Sequence, residues 1–492
     1  MSTEVLDVLI IGAGLSGVGA AARLAQDRPG DTVLVLESRE RMGGTWDLFH
    51  YPGVRSDSDM YTFGYAHCPW TNGRVFASGP EIRRYIEDTA EAAGVTGSIR
   101  YRHRATTAAW DSARARWEVE AETPDGPRRF EARFMILCAG YYRYDHGYLP
   151  ALPGMTDYAG TLIHPQHWPD DLQLAGRRVL LVGSGATAIT LLPALVAEGA
   201  EVTLVQRSPT WIAALPSHDG LAQLLHRLLP AHLAHRLLRT RNITIGLAFF
   251  QLSRRWPALV RRLVLGRIRR RLGPDAGVDI HFNPHYDPWD QRFCVAPDGD
   301  FFDALAGGRA RMVTGEIERV TAEGLEMRSG ESLAGDVLIM ATGLEMQVAG
   351  GMTFSVDGQH CNCAQQLVYR GTMLSGLPNV ALAFGYTNAS WTLKVDLTFA
   401  RVCRLLDHLE RHGHDYCVPI PPAQTETRPL LDFSSGYVQR ALPMLPRQGS
   451  RAPWRTRQNY LLDWLEIRHG RIDDGHLQFR VAGTPVADGS SA

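Results

Sequence analysis

Two glycine-rich turns constrain this chain more than anything else in it. The first lies in "VLIIGAGLSGVGAAARLA" (8–25), an apolar run followed by Gly12, Gly14 and Gly17 and then a small-residue helix that includes Ser16. Gly12 permits a tight turn, Gly14 lets backbone approach a pyrophosphate, and Gly17 lets the helix pack close to the strand. The helix N-terminus supplies a positive end for phosphates. A second strand, "TVLVLE", ends at Glu37, about twenty residues past Gly17, where an acid accepts ribose hydroxyls.

"RVLLVGSGATAITLLPALVAEGAEVTLVQRSP" (178–209) repeats the plan. Gly183, Ser184 and Gly185 make the turn, and Ala186, Thr187, Ala188 and Ile189 begin the helix, with Ala188 in place of the third glycine. The next strand ends at Gln206 and Arg207 rather than at an acid. A cation there, beside Ser208, suits the 2′-phosphate of NADP and not NAD. The pair of motifs predicts an α/β protein with two Rossmann-like dinucleotide-binding domains. FAD is expected on the first and NADPH on the second, with hydride passing between them.

The rest of the composition mainly excludes. A chain of 492 residues is too long for one ordinary core. A net charge of −1 gives no global reason to bind nucleic acid. The seven cysteines form no CxxC pair and no zinc spacing, so free thiols in a reducing compartment and no metal are expected. The N-terminus runs straight into the first strand without a leader pattern, which predicts a cytoplasmic protein. The uncharged run Val179–Ala197 contains "GSGATA" and Pro193, so it reads as strand, turn and helix rather than a membrane span. Lys394 is the only lysine among many arginines, a hint that a guanidinium does not fit there.

From Gly220 to Pro274 there is no acidic residue, and arginines interrupt leucine-rich helical stretches. Packing on the body of the protein is one reading of this segment. A peripheral contact with a membrane surface, Arg on anionic head groups and Leu below, is the other.

With these motifs in order, the chain resembles the class B flavin-dependent monooxygenases. "GGTWDLFHYPGVRSDSDMY" (43–61) carries that family's GG-x-W and YPG elements. "YAGTLIHPQHWP" (158–169) is similar to its Baeyer–Villiger signature, with Tyr158 where Phe is usual, then Gly160, His164, Trp168 and Pro169. Trp168 favours the Baeyer–Villiger branch over the N- and S-oxygenating branch. "HYDPWDQRFCVAPDGDFFDAL" (285–305) and "SGLPNVALAFGYTNASWTLKVDL" (375–397) look most like the bacterial subgroup of the ethionamide-activating monooxygenase.

The resemblance implies a reaction through a flavin C4a-peroxide: O2 and NADPH convert a small apolar ketone to an ester or lactone, and sulfur in thioethers or thioamides is oxidised as well. It implies Arg292 as the active-site arginine and Asp57 as the acid that orients it. Asp290, close to Arg292 in sequence, could pair with it at the surface instead, and Asp59 is a rival for the role of Asp57. It places Ser16, Glu37, Gly44, Thr45, Trp46, Asp47, Leu48 and Ala105 around FAD, and Arg55, Ser56 and Asp57 near the nicotinamide. Gln291 departs from the lysine that many members place beside the catalytic arginine, leaving Arg207 more of the 2′-phosphate load. The signature would join the domains, expected at 1–150 with 350–492 for FAD, 155–212 with 297–349 for NADPH, and a helical insertion at 213–296. Trp391 and Lys394 would lie in a segment that returns to the flavin, with core or pocket wall both open for Trp391. Three rivals remain at this point: a heteroatom-only monooxygenase, a disulfide reductase lacking its cysteine pair, and a membrane-surface protein keeping FAD as structure. Oligomeric state has no signal in the sequence.

Overall fold

The computed structural model describes residues 4–486. Its centre is the strand Glu4–Ile11, whose residues Val8, Leu9 and Ile10 have no exposure to solvent. A strand covered on both faces needs such an unbroken apolar run. It pairs in parallel with Val33–Leu36 on one side and Arg128–Leu137 on the other. The sheet grows to nine strands. The antiparallel strands Arg104–Asp111 and Arg116–Glu122 extend one side, and Thr353–Val356, Gln359–Cys361 and Val380–Leu382 join from far downstream. The helices Leu15–Asp27, Gly79–Ala92 and Trp391–His412 pack together on this sheet. The second of these begins in a capping box, with Ser78 and Glu81 each accepting from the other's backbone N–H.

A second sheet has five parallel strands in the order Ala310–Thr314, Glu201–Gln206, Arg178–Val182, Val337–Met340 and Thr161–Ile163. The chain crosses to it through 138–160 and returns through 341–352. This is the two-Rossmann α/β plan that the glycine turns predict. The halves also share apolar packing. Leu48, Phe49, Tyr51 and Val54 come from the first segment but lie in the core of the second sheet, with Trp168, Leu191 and Trp211.

The strands Ile212–Leu215 and Cys294–Pro297 pair in parallel and close the base of a helical excursion. Its main helices are Gly220–Leu228, Ala231–Arg255 and Pro257–Leu272. Arg239 pins the longest of them to the body. Its Nη1 donates to the carbonyls of Tyr61, Thr62 and Gly64 (2.7–3.2 Å), and its Nη2 donates to Asp396 (2.9 Å). Among the described residues no helix is long and apolar enough to cross a membrane.

Candidate active site

The two glycine turns face one another across a cleft of about 1220 Å³. At the first turn the glycines answer to packing. A Cβ on Gly12, which sits at φ +99°, would lie 2.7 Å from the Cys138 carbonyl oxygen, and one on Gly17 would lie 1.7 Å from that of Gly12. Gly14 faces Gly44, so two backbones approach where any side chain would intervene. Glu37 is buried, and its Oε2 accepts the Ala13 N–H at 2.7 Å, which ties the end of the second strand to the turn. At the second turn Gly183 is held against Ala341, whose oxygen would be 2.3 Å from an added Cβ, while Gly185 opens on empty space. Both turns lead into helix N-termini at the cleft, so the residues present fit two dinucleotide pyrophosphates.

Most of the residues singled out from sequence line this cleft. Ser16, Glu37, Gly44, Thr45, Trp46, Arg55, Ser56, Asp57 and Ala105 do so from one side, and Gly183 to Thr187, Arg207 and Ser208 from the other. Five do not. Gly17, Ala188 and Ile189 are buried in helix–strand packing. Leu48 belongs to the second core. Asp47 turns away to Arg39 (2.7 Å) and Arg41 (3.3 Å). Arg207 makes no ion pair among the described residues, so its charge is available to a ligand. Gln291 donates to Ser434 Oγ at 3.2 Å.

Arg292 and Asp57 meet in the cleft. Arg292 Nε donates to Asp57 Oδ2 at 2.9 Å and Nη2 to Oδ1 at 2.8 Å, a two-toothed pair. The alternative partners are engaged elsewhere: Asp59 caps the helix Met60–Phe63 through the Thr62 N–H, and Asp290 accepts from Arg254. Asp57 raises the Arg292 pKa further above its ordinary value, and burial opposes this only in part. The guanidinium therefore stays charged at any working pH. Arg292 retains 46% of its side-chain exposure, facing the cleft, whereas Asp57 retains 19%.

The sequence reading missed part of this surround. Tyr141, Tyr142 and Tyr437 lie within electrostatic reach of Arg292 and line the same cleft. The doubled tyrosine directly after the "CAG" turn was the available signal. Trp391 is half-buried, lines the cleft and donates from Nε1 to Ser16 Oγ at 2.9 Å, so it is a wall rather than core.

The 158–169 signature braces both crossings between the sheets. His164 Nε2 donates to the Gly343 carbonyl (3.1 Å), while its Nδ1 accepts the Gln166 N–H (3.2 Å). Burial pulls the His164 pKa below its ordinary value, and the neutral ring has the one donor and one acceptor these partners require. Gln166 Nε2 donates to the carbonyls of Arg143 and Tyr144, both at 2.9 Å. His167 bonds the Asp145 carbonyl, and the Trp168 carbonyl accepts from His50. Trp168 itself is buried in the second core.

All seven cysteines are free thiols. Cys138 lies at the cleft, and burial pushes its thiol pKa well up, which keeps it protonated and unreactive. Among the described residues no cluster of His, Cys, Asp or Glu could hold a metal ion.

Comparison with known proteins agrees with this geometry. The pyridine nucleotide-disulphide oxidoreductase family model matches residues 6–229. The FAD-containing monooxygenase EthA of Mycobacterium tuberculosis (strain ATCC 25618 / H37Rv) is 47% identical over 486 residues, covering 98% of this chain and 99% of its own. EthA of Mycolicibacterium smegmatis (strain ATCC 700084 / mc(2)155) is 44% identical over 491 residues, covering 99% and 100%. Two solved structures share the fold. Oxidized steroid monooxygenase bound to NADP has a TM-score of 0.77 at 18% identity, covering 97% of this chain and 100% of its own. Cyclohexanone monooxygenase with bound epsilon-caprolactone has a TM-score of 0.74 at 19% identity, with the same coverages. Full-length identity with these relatives, added to two nucleotide turns facing one cleft, makes this chain a member of the FAD-containing monooxygenase family.

Proposed function

We propose that the chain is an NADPH- and O2-dependent Baeyer–Villiger monooxygenase that converts small apolar ketones to esters or lactones and also oxygenates thioethers or thioamides. The observation that carries this reading is the two-toothed Arg292–Asp57 pair, set in the cleft between the two nucleotide turns. FAD, reduced by NADPH, supplies the activation of O2 when both are bound. The chain's own residues do the rest. Gly14, Ser16, Glu37, Gly44 to Trp46 and Ala105 hold FAD; Gly183 to Thr187, Arg207 and Ser208 hold NADPH, with Arg55 to Asp57 at its nicotinamide end. We assign 1–150 and 350–492 to the first domain, 155–212 and 297–349 to the second, and 213–296 to the insertion.

Oxygen insertion beside a carbonyl needs a nucleophilic, deprotonated oxygen species and a fixed cation beside it. Asp57 occupies two of the five N–H donors of Arg292 and holds the planar fork in place; three donors remain for a developing anion. Asp57 thus orients a charge it does not replace. Tyr141, Phe384, Trp391, Phe433 and Tyr437 line the cleft with rings that suit an apolar substrate. The lactone held by cyclohexanone monooxygenase, a protein of the same fold, favours ketones as substrates. The test is product analysis. The purified protein is incubated with NADPH, isotopically heavy O2, a linear ketone and a thioether. An ester carrying one heavy oxygen is expected. Labelled sulfoxide without ester would move the chain to heteroatom oxygenation and overturn the reading.

We further propose that the insertion touches anionic membrane surfaces. Of the twelve arginines between Gly220 and Pro274, six pair with carboxylates: Arg239, Arg241, Arg254, Arg261, Arg269 and Arg271. The other six make no ion pair among the described residues. The same helices expose Leu228 by 70% and Trp256 by 55%, along with Leu221, Leu224, Leu237 and Leu263. Cations beside exposed apolar side chains suit head groups and acyl chains together. Co-sedimentation with phosphatidylserine vesicles and none with phosphatidylcholine is expected; equal binding to both, or to neither, would refute it.

A further inference from the structure

The doubled tyrosine near Arg292 is a hydrogen-bonded pair, not only a wall. Tyr142 donates from its hydroxyl to the Tyr141 oxygen at 2.9 Å, with ring centroids 4.2 Å apart. The Tyr141 ring stacks on Trp391 at 4.9 Å and 25°, and Trp391 is fixed in turn by its bond to Ser16, in the first glycine turn's helix. The Tyr141 carbonyl accepts the Gln347 N–H at 3.0 Å, which holds the backbone. Ring, backbone and phenol oxygen are therefore all positioned.

A phenol oxygen that accepts one hydrogen bond still carries its own proton. Among the described residues the Tyr141 proton finds no protein acceptor, although the residue lines the cleft next to Arg292. Burial first, then the neighbouring phenols, keeps Tyr142 protonated as a constant donor. A donor aimed at Tyr141 oxygen polarises the outgoing O–H and strengthens what it can donate.

We propose that Tyr141 donates its O–H to the substrate carbonyl oxygen and forms, with Arg292, the site that stabilises the oxyanion of ketone oxygenation. The inference rests on the Baeyer–Villiger reading above. When an oxygen nucleophile derived from O2 adds to the carbonyl carbon, the C=O π pair moves onto the carbonyl oxygen. Tyr141 shares its proton with that oxygen and keeps it. The pair then returns to carbon as one carbon substituent migrates to the inserted oxygen. The oxygen–oxygen bond breaks at the same time, its electron pair leaving on the departing oxygen. Electrons for the overall reduction come from NADPH. Transfer of oxygen to a thioether passes through no carbonyl-derived oxyanion, so the oxyanion that Tyr141 would stabilise is not formed there. The residue is thus a determinant of ketone over sulfur chemistry.

The experiment compares kcat/KM for a linear ketone and for a thioether in the wild-type holoenzyme and in Tyr141→Phe, which keeps the ring stacked on Trp391. The ketone value is expected to fall about tenfold or more, the scale of one lost donor to a developing charge, while the thioether value stays within about twofold. Bound-flavin absorbance and the rate of anaerobic flavin reduction by NADPH should be unchanged. Equal losses on both substrates, or no loss on either, would overturn the assignment. Tyr142→Phe, which removes only the orienting donor, should cost the ketone reaction a smaller, several-fold loss; a larger loss than Tyr141→Phe would assign the donor to Tyr142 and sink the proposal. A wild-type enzyme that forms no ester from any ketone refutes the parent reading instead, and the two failures are distinguishable.

Discussion

Replacing Arg292 with Ala should separate the two half-reactions. A unit charge about 4 Å from a developing anion, at an effective dielectric near 20, is worth about 4 kcal/mol. At about 1.4 kcal/mol per decade that is roughly a thousandfold in rate. Two features of the structure move this value in opposite directions. Asp57 sits 2.8 Å from Arg292 Nη2 and already absorbs part of the field, which lowers the loss. Removing the guanidinium leaves that carboxylate unpaired in the cleft, where it repels an anion, which raises it. A loss of about 100- to 1000-fold in product formation follows, the range known for removing one preorganised donor. Arg292 bonds to neither glycine turn, so anaerobic flavin reduction by NADPH, followed by stopped-flow absorbance, should stay within about threefold of wild type on the same scale. Ester formation, read by mass spectrometry, should collapse while NADPH is still consumed. Product at the wild-type rate would refute the charge argument. Loss of flavin reduction together with product would show that the residue serves coenzyme placement rather than oxygen transfer.

Three further outcomes are expected. Arg207→Ala should raise the KM for NADPH about tenfold, as expected for one lost charge-assisted contact, and change the KM for NADH little; equal effects on both coenzymes would remove Arg207 from the 2′-phosphate. His235 is buried, and among the described residues neither ring nitrogen has a hydrogen-bond partner of normal geometry; burial first, then the Arg239 charge, draws its pKa down to about 4. Protons then bind the unfolded chain first, so this site costs native stability as pH falls from 6.5 towards 4, by about 2 kcal/mol between pH 7 and 5. His235→Leu should flatten the fall in thermal midpoint over that window, and an unchanged slope would contradict it. Lys394 Nζ donates to buried Asp463 at 2.7 Å, and Tyr386 donates to the same oxygen. Lys394→Met should lower the thermal midpoint by several degrees, since breaking a buried pair costs about 3–5 kcal/mol. Adding Asp463→Leu should restore part of the loss, the shortfall being the buried Tyr386 hydroxyl left without its acceptor; no recovery in the double variant would mean the lysine acts through packing alone.

The nucleotide turns were legible because their requirement is local. A tight turn, a helix that abuts its strand and a backbone that must approach phosphate each need a missing Cβ at a set spacing. The structure shows the contacts that forbid one at Gly12, Gly17 and Gly183. The segment 158–169 announced itself through Pro165, Pro169 and Trp168. Its fastening was less legible, because much of it comes from Gln166 and His167 bonding carbonyls about twenty residues upstream. Leu48 was placed with FAD by the family resemblance, but an apolar side chain follows whichever core lies nearest, and that core belongs to the other sheet. Lys394 stood out by composition; its meaning came from Asp463 and from Gly371, which lies so close that an added Cβ would be 2.9 Å from Lys394 Cε.

By itself the sequence determined the α/β class, two nucleotide turns and the residue types able to do the chemistry, since each rests on short-range sterics or on side-chain identity. Only the tertiary structure decided who faces whom. Arg292 and Asp57 are 235 residues apart in the chain, and Arg292 had a nearer candidate partner in Asp290. The pairing is settled by two sheets, an insertion closed at Ile212–Leu215 and Cys294–Pro297, and the loop after Val54 converging on one cleft. The Tyr142–Tyr141–Trp391–Ser16 chain likewise spans three distant segments. A hydrogen bond is decided within a few tenths of an ångström, a precision that long-range packing supplies and local sequence pattern does not encode.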